Sequence, residues 1–169
     1  MEVSIQVLFV CLGNICRSPI AEGTFQALVV SKKLDHIIQC DSAGTASYHT
    51  GALPDKRMRQ VANQNGITLT HHARQFQSTD PQKFQYILAM DESNYKDIRR
   101  IMRSAQAPEE IEEQLFLYRK FDPQRGEELS VPDPYYGGIS GFEEVFAITE
   151  RCAKAFLDFL VEKHDLTYQ

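Results

Sequence analysis

Residues 7–22 read Val7-Leu-Phe-Val-Cys-Leu-Gly-Asn-Ile-Cys-Arg-Ser-Pro-Ile-Ala-Glu22. Residues 3–10 are rich in β-branched and aromatic side chains, which favours a buried strand. A Cys-Leu-Gly turn follows, and from Pro19 onward apolar residues recur at helical spacing. This stretch therefore predicts a strand, a tight loop and a helix in succession.

The rest of the chain continues the alternation of strands and helices. Further strands are predicted at 37–42, 86–90 and 114–118, and further helices at 54–66, at 91–102 and along the apolar stripe from Phe142 to Leu160. Loops are predicted at 43–53 and 119–140. The alternation indicates a flavodoxin-like α/β domain, with a short, mainly parallel sheet and helices on both faces. Ligands of such sheets bind beyond the carboxyl ends of the strands.

Composition and charge limit the classes of partner. The chain has 169 residues, with 18 Lys and Arg against 23 Asp and Glu, so its formal net charge is −5. A chain of this length can bury a core without disulfides or a structural metal. The acidic balance disfavours nucleic acid and anionic membranes as partners. We expect one monomeric domain over residues 1–169.

The N-terminal sequence and the cysteines indicate the cellular compartment in which the protein is expected. Residues 1–6 lack the cationic flank of a signal peptide, and the longest apolar run, Val7 to Leu12, is too short to span a membrane. The four cysteines are consistent with a reducing cytoplasm, where such residues are more often catalytic or buried than bridged. We therefore expect a cytoplasmic protein.

The loop from Cys11 to Ser18 carries the strongest chemical signal. A loop that enters a helix N-terminus directs backbone N–H groups at an anion, and Gly13 is expected to permit its turn. Arg17 can give two parallel N–H donors to a tetrahedral oxyanion. Beside these positive groups Cys11 is predicted to be a thiolate at neutral pH, and Ser18 to cap the helix or donate to its sulfur.

A bare Cys-x5-Arg pattern is also compatible with a buried cysteine and a surface salt bridge. Here the glycine, the serine after Arg17 and the proline in the first helical turn favour a phosphate-binding loop. The chain lacks the Gly-x4-Gly-Lys-Ser/Thr loop of nucleotide-binding proteins, and no Gly-x-Gly-x-x-Gly follows a strand. Nucleotide chemistry is therefore disfavoured.

From Val7 to Glu22 the sequence resembles the N-terminal signature of the low-molecular-weight protein tyrosine phosphatases. The segments 90–94 (Met-Asp-Glu-Ser-Asn) and 133–137 (Asp-Pro-Tyr-Tyr-Gly) resemble two further family segments, the second being the general-acid loop. The resemblance extends from about residue 5 to residue 160. It separates this chain from larger tyrosine phosphatases, whose nucleophile follows a histidine, since Val10 precedes Cys11 here.

The resemblance implies hydrolysis of phosphotyrosine proteins and small aryl phosphates in two steps, without metal or cofactor. Cys11 would attack phosphorus, Arg17 and the loop amides would hold the oxygens, and Asp133 would protonate the leaving phenolate. Asp133 would then activate the water that hydrolyses the phosphocysteine. Loop residues implied to contact phosphate or substrate are Leu12, Gly13, Asn14, Ile15, Cys16 and Ser18.

Spacing alone does not select the acid, because Asp80, Asp122 and Asp133 all precede prolines. Asp80 fits the N-cap of a short helix, and Asp122 fits a surface turn. Only Asp133 is followed by a tyrosine pair and a Gly-Gly, which suits a mobile lid with aromatic walls. We choose Asp133, chiefly on the family resemblance.

Other residues are expected to have supporting or structural roles. Three tyrosines could line a cleft for an aryl phosphate or pack half-buried in loops: Tyr48, Tyr135 and Tyr136. The resemblance assigns bracing of the phosphate loop to Asn14, Ser42 and His71, with Asn14 tolerating a left-handed backbone. His71 has no metal-ligand partners at usable spacing, so no metal site is predicted. Solvated charges are expected at Lys56, Arg57, Arg59 and Arg74.

The remaining cysteines suggest one redox role. Cys16 lies five residues from Cys11, so oxidation could join them in a reversible, protective disulfide, although Cys16 also suits a small apolar loop position. Cys40 and Cys152 are predicted to be core residues.

Three rival functions fit parts of the pattern. Thiol-dependent arsenate reductases share the fold and loop but relay a disulfide through mid-chain cysteines, and residues 41–151 contain none. A noncatalytic phosphoprotein-binding module would not need Cys11, Arg17 and Asp133 together. Protein-arginine phosphatases on the same scaffold look like the branch of this family that has threonine at the loop position of Ile15. Because this chain has isoleucine there, phosphotyrosine is the favoured substrate.

Overall fold

The computed structural model of the protein describes residues 4–167, in which four parallel strands form one sheet in the order β2-β1-β3-β4. The strands are β1 (Ile5–Cys11), β2 (Ile38–Gly44), β3 (Tyr86–Ala89) and β4 (Leu115–Leu117). The helices are α1 (Arg17–Ser31), α2 (Lys56–Gln64), α3 (Asp80–Lys83), α4 (Glu92–Met102), α5 (Pro108–Gln114) and α6 (Ile139–Lys163). A 3₁₀ turn, Tyr118–Phe121, follows β4.

The sheet separates two apolar cores, because alternate side chains of a strand point to opposite faces. Phe9 of β1 packs with Phe25 of α1 and Phe156 of α6 on one face. On the other face, Leu8 lies in a cluster with Ile98 of α4. Burial on both faces explains the unbroken apolar run of β1. The predicted α/β fold with helices on both faces is confirmed.

Side-chain caps fix where two of the helices begin. The Asp55 carboxylate accepts the Arg57 N–H at 2.8 Å, so α2 starts at Lys56, after the Pro54 at which a helix was predicted. Asp91 likewise accepts the Asn94 N–H at 2.7 Å and opens α4. Each carboxylate satisfies an amide that the helix leaves unpaired.

Several predicted boundaries were displaced. The structure extends β2 to Gly44 instead of residue 42, because Ala43 and Gly44 still pair with β1. The first strand was predicted at 3–10, whereas β1 covers Ile5–Cys11 and so ends one residue later. Residue 3 lies outside the described part of the chain. Helix α5 was not predicted: its heptapeptide, Pro-Glu-Glu-Ile-Glu-Glu-Gln, contains Ile111 as the one large aliphatic side chain that it buries. Within residues 4–167, no helix combines the length and apolarity that crossing a membrane requires.

Candidate active site

The loop between β1 and α1 lies at the carboxyl edge of the sheet, where parallel sheets bind ligands. It forms the floor of a cleft of about 250 Å³. The lining residues are Cys11, Leu12, Gly13, Ile15, Cys16, Arg17, Tyr48, His49, Asp133, Tyr135 and Tyr136. Most of the residues predicted to contact substrate therefore meet at one place.

The Cys11 sulfur is almost enclosed, since the residue is 3% exposed. The Asn14 N–H donates to Sγ at 3.2 Å, and the Ser18 Oγ lies 3.0 Å away. Ser18 also lies within 3.3 Å of the Ala43 carbonyl oxygen. Its single hydroxyl proton can therefore turn towards the carbonyl when Cys11 is a thiol, or towards the sulfur when Cys11 is a thiolate. The predicted contact between Ser18 and Cys11 is present, while α1 has no side-chain cap.

Asn14 holds the loop in shape. Its backbone φ is 58°, the left-handed conformation that asparagine tolerates. Its Nδ2 donates to Ser18 Oγ at 2.8 Å and to Ser42 Oγ at 3.0 Å. Its Oδ1 accepts the Arg74 N–H at 3.0 Å and lies 2.8 Å from His71 Nε2. The three residues predicted to brace the loop, Asn14, Ser42 and His71, thus belong to one network.

The expected role of Gly13 in the turn was wrong. Asn14, and not Gly13, has the positive φ. Gly13 is small for another reason: a Cβ there would lie 3.0 Å from the His49 ring. At Gly44 a Cβ would lie 2.6 Å from the Leu12 carbonyl oxygen, so this glycine lets the loop approach the end of β2.

Arg17 is 4% exposed and is held by three oxygens. Its Nη1 donates to Asp91 Oδ2 at 2.6 Å and to the Val131 carbonyl at 3.1 Å, and its Nη2 lies 3.9 Å from Asp133 Oδ2. Burial opposes the charge of Arg17, but Cys11 and the two aspartates together raise its pKa. Asp91 was expected at the start of a helix and in the 90–94 segment that resembles the family, but not as a site residue. Its position directly behind a buried parallel strand was the available signal.

Of the three Asp-Pro pairs, only the one at Asp133 contributes to the cleft. The Asp133 side chain is 42% exposed, and its Oδ1 accepts the Tyr135 N–H at 3.1 Å. Asp80 binds Arg74 instead, as the first residue of α3. Asp122 is buried and binds Arg151, so the predicted surface turn was wrong for its side chain, which has no exposed area.

Aromatic side chains form the cleft walls. Tyr48 is 78% exposed and Tyr136 is 91% exposed, so packing in loops does not account for them. Tyr135 contacts Tyr136 edge-to-face, with ring centroids 5.0 Å apart. His49 was not predicted as a site residue, but it lines the cleft, and the centre of its ring lies 6.4 Å from that of Tyr135.

His71 has more partners than its sequence spacing indicated. Its Nδ1 lies 3.3 Å from Asp41 Oδ1 and 3.6 Å from Glu22 Oε1, and the three groups lie within 4.8 Å of one another. A metal there would have to displace existing contacts, because Ser42 donates to Glu22 at 2.6 Å and Arg74 to Asp41 at 3.1 Å. Burial, the largest influence, raises the pKa of Glu22 to about 7.

Three of the cations expected to be solvated are engaged, and of these Arg59 donates to the Pro54 carbonyl at 2.9 Å. Arg74 bridges Asp41 and Asp80, and Arg57 binds Asp55 and two backbone carbonyls. Among the cysteines, Cys152 lies in the core as predicted, whereas Cys40 is only half-buried, with Sγ 3.2 Å from Gln26 Oε1.

The comparisons with known proteins agree with this geometry. Residues 6–166 match the family model of the low molecular weight phosphotyrosine protein phosphatases. The chain belongs to this family. A chicken low molecular weight phosphotyrosine protein phosphatase is 46% identical over 152 residues, which cover 90% of this chain and 93% of the relative.

Solved structures also resemble it. A protein tyrosine phosphatase from Entamoeba histolytica has a TM-score of 0.88 at 37% identity, covering 95% of this chain and 99% of that one. A Drosophila arginine phosphatase has a TM-score of 0.85 at 32% identity, covering 92% and 98%. This chain is thus a protein tyrosine phosphatase of the low-molecular-weight family, whose chemistry passes through a phosphocysteine.

Proposed function

We propose that residues 1–169 form a single cytoplasmic, monomeric phosphatase domain in which Cys11 is the nucleophile, Arg17 the phosphate clamp and Asp133 the general acid. The observation that carries this assignment is the meeting of these three side chains in one cleft at the carboxyl edge of the sheet. Cys11 sits at the base of the cleft and Asp133 at its more exposed side.

The proposed reaction has two steps. The Cys11 thiolate forms a bond to phosphorus while the phosphorus–oxygen bond to the phenol breaks, and Asp133 gives its proton to the leaving oxygen. Arg17 and the loop amides hold the equatorial oxygens as charge develops on them. In the second step Asp133 takes a proton from water, which attacks the phosphocysteine and releases phosphate. Ser18, donating to the sulfur, helps Cys11 leave.

The proposed substrates are tyrosine-phosphorylated proteins. A phenyl phosphate reaches from the aromatic rim to the loop at the base, and its ring can stack on Tyr48, Tyr135 or Tyr136. A phosphoserine is shorter and lacks the ring. The likeness to an arginine phosphatase makes phosphoarginine the second candidate, and Ile15, which lines the cleft, favours the flat phenyl ring.

We assign Cys16 the role of a resolving thiol. It is 5% exposed, and it lines the same cleft as Cys11. A peroxide oxidises Cys11 to a sulfenic acid, and attack by the Cys16 sulfur then forms the disulfide and releases water.

The decisive experiment compares phosphotyrosine, phosphoserine and phosphoarginine peptides of one sequence. We expect the wild type to hydrolyse phosphotyrosine fastest. Cys11→Ser should abolish turnover while retaining phosphate or vanadate binding, because a hydroxyl stays protonated where a thiolate forms. Cys152→Ser, in the core of α6, is the matched control and should remain active. Faster release from phosphoarginine, or substantial turnover by Cys11→Ser, would contradict the proposal.

A further inference from the structure

Arg57, in the first turn of α2, reaches across to the acid loop (residues 131–138). Its Nη2 donates to the Tyr135 carbonyl at 3.0 Å, and its Nη1 to the Gly137 carbonyl at 3.2 Å. The guanidinium carbon lies 4.4 Å from the centre of the Phe142 ring in α6. One side chain therefore holds two backbone groups of the acid loop and stacks on the helix that follows it.

The other side of Arg57 is tied to the phosphate loop through Asp55. The Asp55 carboxylate accepts Nε at 3.1 Å and Nη2 at 3.0 Å, which fixes the guanidinium plane. The Asp55 N–H in turn donates to the Ile15 carbonyl at 2.7 Å. A continuous series of hydrogen bonds thus joins the phosphate loop to the acid loop.

The same series reaches the proposed acid itself. Tyr135 gives its N–H to Asp133 Oδ1 at 3.1 Å, and its carbonyl accepts from Arg57. Arg57 does not line the cleft, and its contacts are with protein groups rather than with the space for substrate. The hydrogen-bonded path from Arg57 to Asp133 therefore runs through the backbone of Tyr135.

We propose that Arg57 is a positioning residue for proton donation: with Asp55 it sets the distance between the acid loop and the phosphate loop. This inference rests on the proposed function, in which Asp133 is the acid. Two carbonyls and one carboxylate must be bound by one planar group, which a guanidinium can do and a lysine ammonium cannot. Loss of Arg57 should therefore impair the acid and spare the nucleophile.

The kinetic test uses leaving groups of different basicity. Phenyl phosphate releases a poor leaving group that needs a proton, whereas p-nitrophenyl phosphate releases a good one that needs it less. The quantity to compare is kcat/KM, because it reports the steps up to phosphocysteine formation, before hydrolysis of that intermediate. A defect in phosphate binding would lower kcat/KM equally for both esters.

We expect Arg57→Gln to lower kcat/KM by about 10- to 100-fold for phenyl phosphate and by no more than about threefold for p-nitrophenyl phosphate. Arg57→Lys keeps the charge and an aliphatic stem but loses the planar group over Phe142. It should slow the hydrolysis of phenyl phosphate more than that of p-nitrophenyl phosphate even if Arg57→Gln does not fold. Arg59→Gln is the matched control. Arg59 lies on the same helix and donates to the Pro54 carbonyl instead, so its loss should affect neither ester.

Asp133→Ala and the double variant Asp133→Ala/Arg57→Gln separate the possible outcomes. If Arg57 acts through Asp133, its loss adds little once the acid is absent. If Asp133→Ala slows phenyl phosphate more than p-nitrophenyl phosphate while both Arg57 variants slow the two esters equally, this inference is overturned and the proposed function stands. If Asp133→Ala lowers kcat/KM equally for the two esters, the assignment of the acid fails, and the role of Arg57 fails with it.

Discussion

At the scale of single residues, two thiols on one loop differ in what surrounds them. The Cys11 sulfur receives the Asn14 amide and lies beside the Ser18 hydroxyl, groups that can stabilise a negative charge. Burial raises the pKa of the Cys16 thiol, and the carboxylate of Asp55 adds to the effect. The charge of the Cys11 thiolate raises the pKa of Cys16 further, so Cys16 stays protonated while Cys11 is a thiolate. That contribution is lost when Cys11 becomes a neutral sulfenic acid.

This contrast leads to a prediction about oxidation. Brief treatment with peroxide should inactivate the wild type, and dithiothreitol should restore it, because the disulfide stops further oxidation of Cys11. Cys16→Ser should lose activity in the same way but recover poorly, as Cys11 proceeds to sulfinic acid. Activity before and after reduction, with intact mass spectra, measures both. Cys152→Ser is the control and should recover like the wild type; equal recovery of Cys16→Ser would make Cys16 a packing residue.

Residues whose role depends on neighbouring positions in the chain could be predicted from the sequence. Residues whose role depends on partners that are distant in the chain could not. The position of Cys11 and Arg17 follows from the strand-loop-helix pattern alone. Asp91 and Arg57 act through contacts 74 and 78 residues away in the chain, with Arg17 and Tyr135 respectively. No spacing rule brings such partners together, so their roles depend on the tertiary structure.

At the scale of elements, Asp122 joins the 3₁₀ turn after β4 to the long helix α6. Its carboxylate accepts two hydrogen bonds from Arg151 at 2.8 and 3.0 Å, and lies 3.4 Å from Arg119 Nε. Burial would raise the pKa of Asp122, but the hydrogen bonds from Arg151 and Gln124 hold it below its ordinary value. Asp122 is thus a structural anchor.

Asp122→Asn should therefore lower the free energy of unfolding by about 3 kcal/mol at neutral pH, because it removes a fully buried charge from two half-buried arginines and leaves them without their counter-charge. Because the folded-state pKa of Asp122 is depressed, this stabilisation is present above the unfolded pKa and is lost as the pH falls through the folded one. Urea unfolding measures the change. Asp133→Asn, on the exposed loop, should show the reverse pattern of normal stability and impaired catalysis. If Asp122→Asn kept normal stability but slowed esters with poor leaving groups more than esters with good ones, the general acid would be Asp122 instead of Asp133.

At the scale of the whole molecule, the alternation of buried strands and amphipathic helices was enough to predict the architecture. β3 is buried throughout and β1 at every position except Gln6, and α6 buries an apolar stripe from Phe142 to Leu160, so their patterns are strong. The sequence did not reveal α5, because four of its seven residues are glutamates and little of it is buried. Seven residues make only about two helical turns, which is too short for a periodic apolar pattern to be detected.

Global stability should also depend on Glu22, which links α1 to the end of β2. Ser42 donates to its carboxylate, and Asp41, Arg74 and His71 surround it.

The folded-state pKa of Glu22, about 7, lies above the ordinary value of 4.5, since burial disfavours the charged form. Between these values the folded protein keeps a proton that the unfolded chain releases. The contribution of Glu22 to stability is therefore fully present below the unfolded pKa and is lost as the pH rises through about 7.

The expected loss between pH 5 and pH 8 is up to about 3 kcal/mol of unfolding free energy from this one group. Glu22→Gln, whose amide oxygen can still accept from Ser42, should flatten that part of the pH profile. His71, whose pKa is lowered by burial, contributes the opposite slope and is present in both proteins. Urea unfolding at half-unit pH steps, on the wild type, Glu22→Gln and the exposed control Glu143→Gln, tests this. Equal slopes in all three would show that Glu22 titrates normally and that its proton does not stabilise the fold.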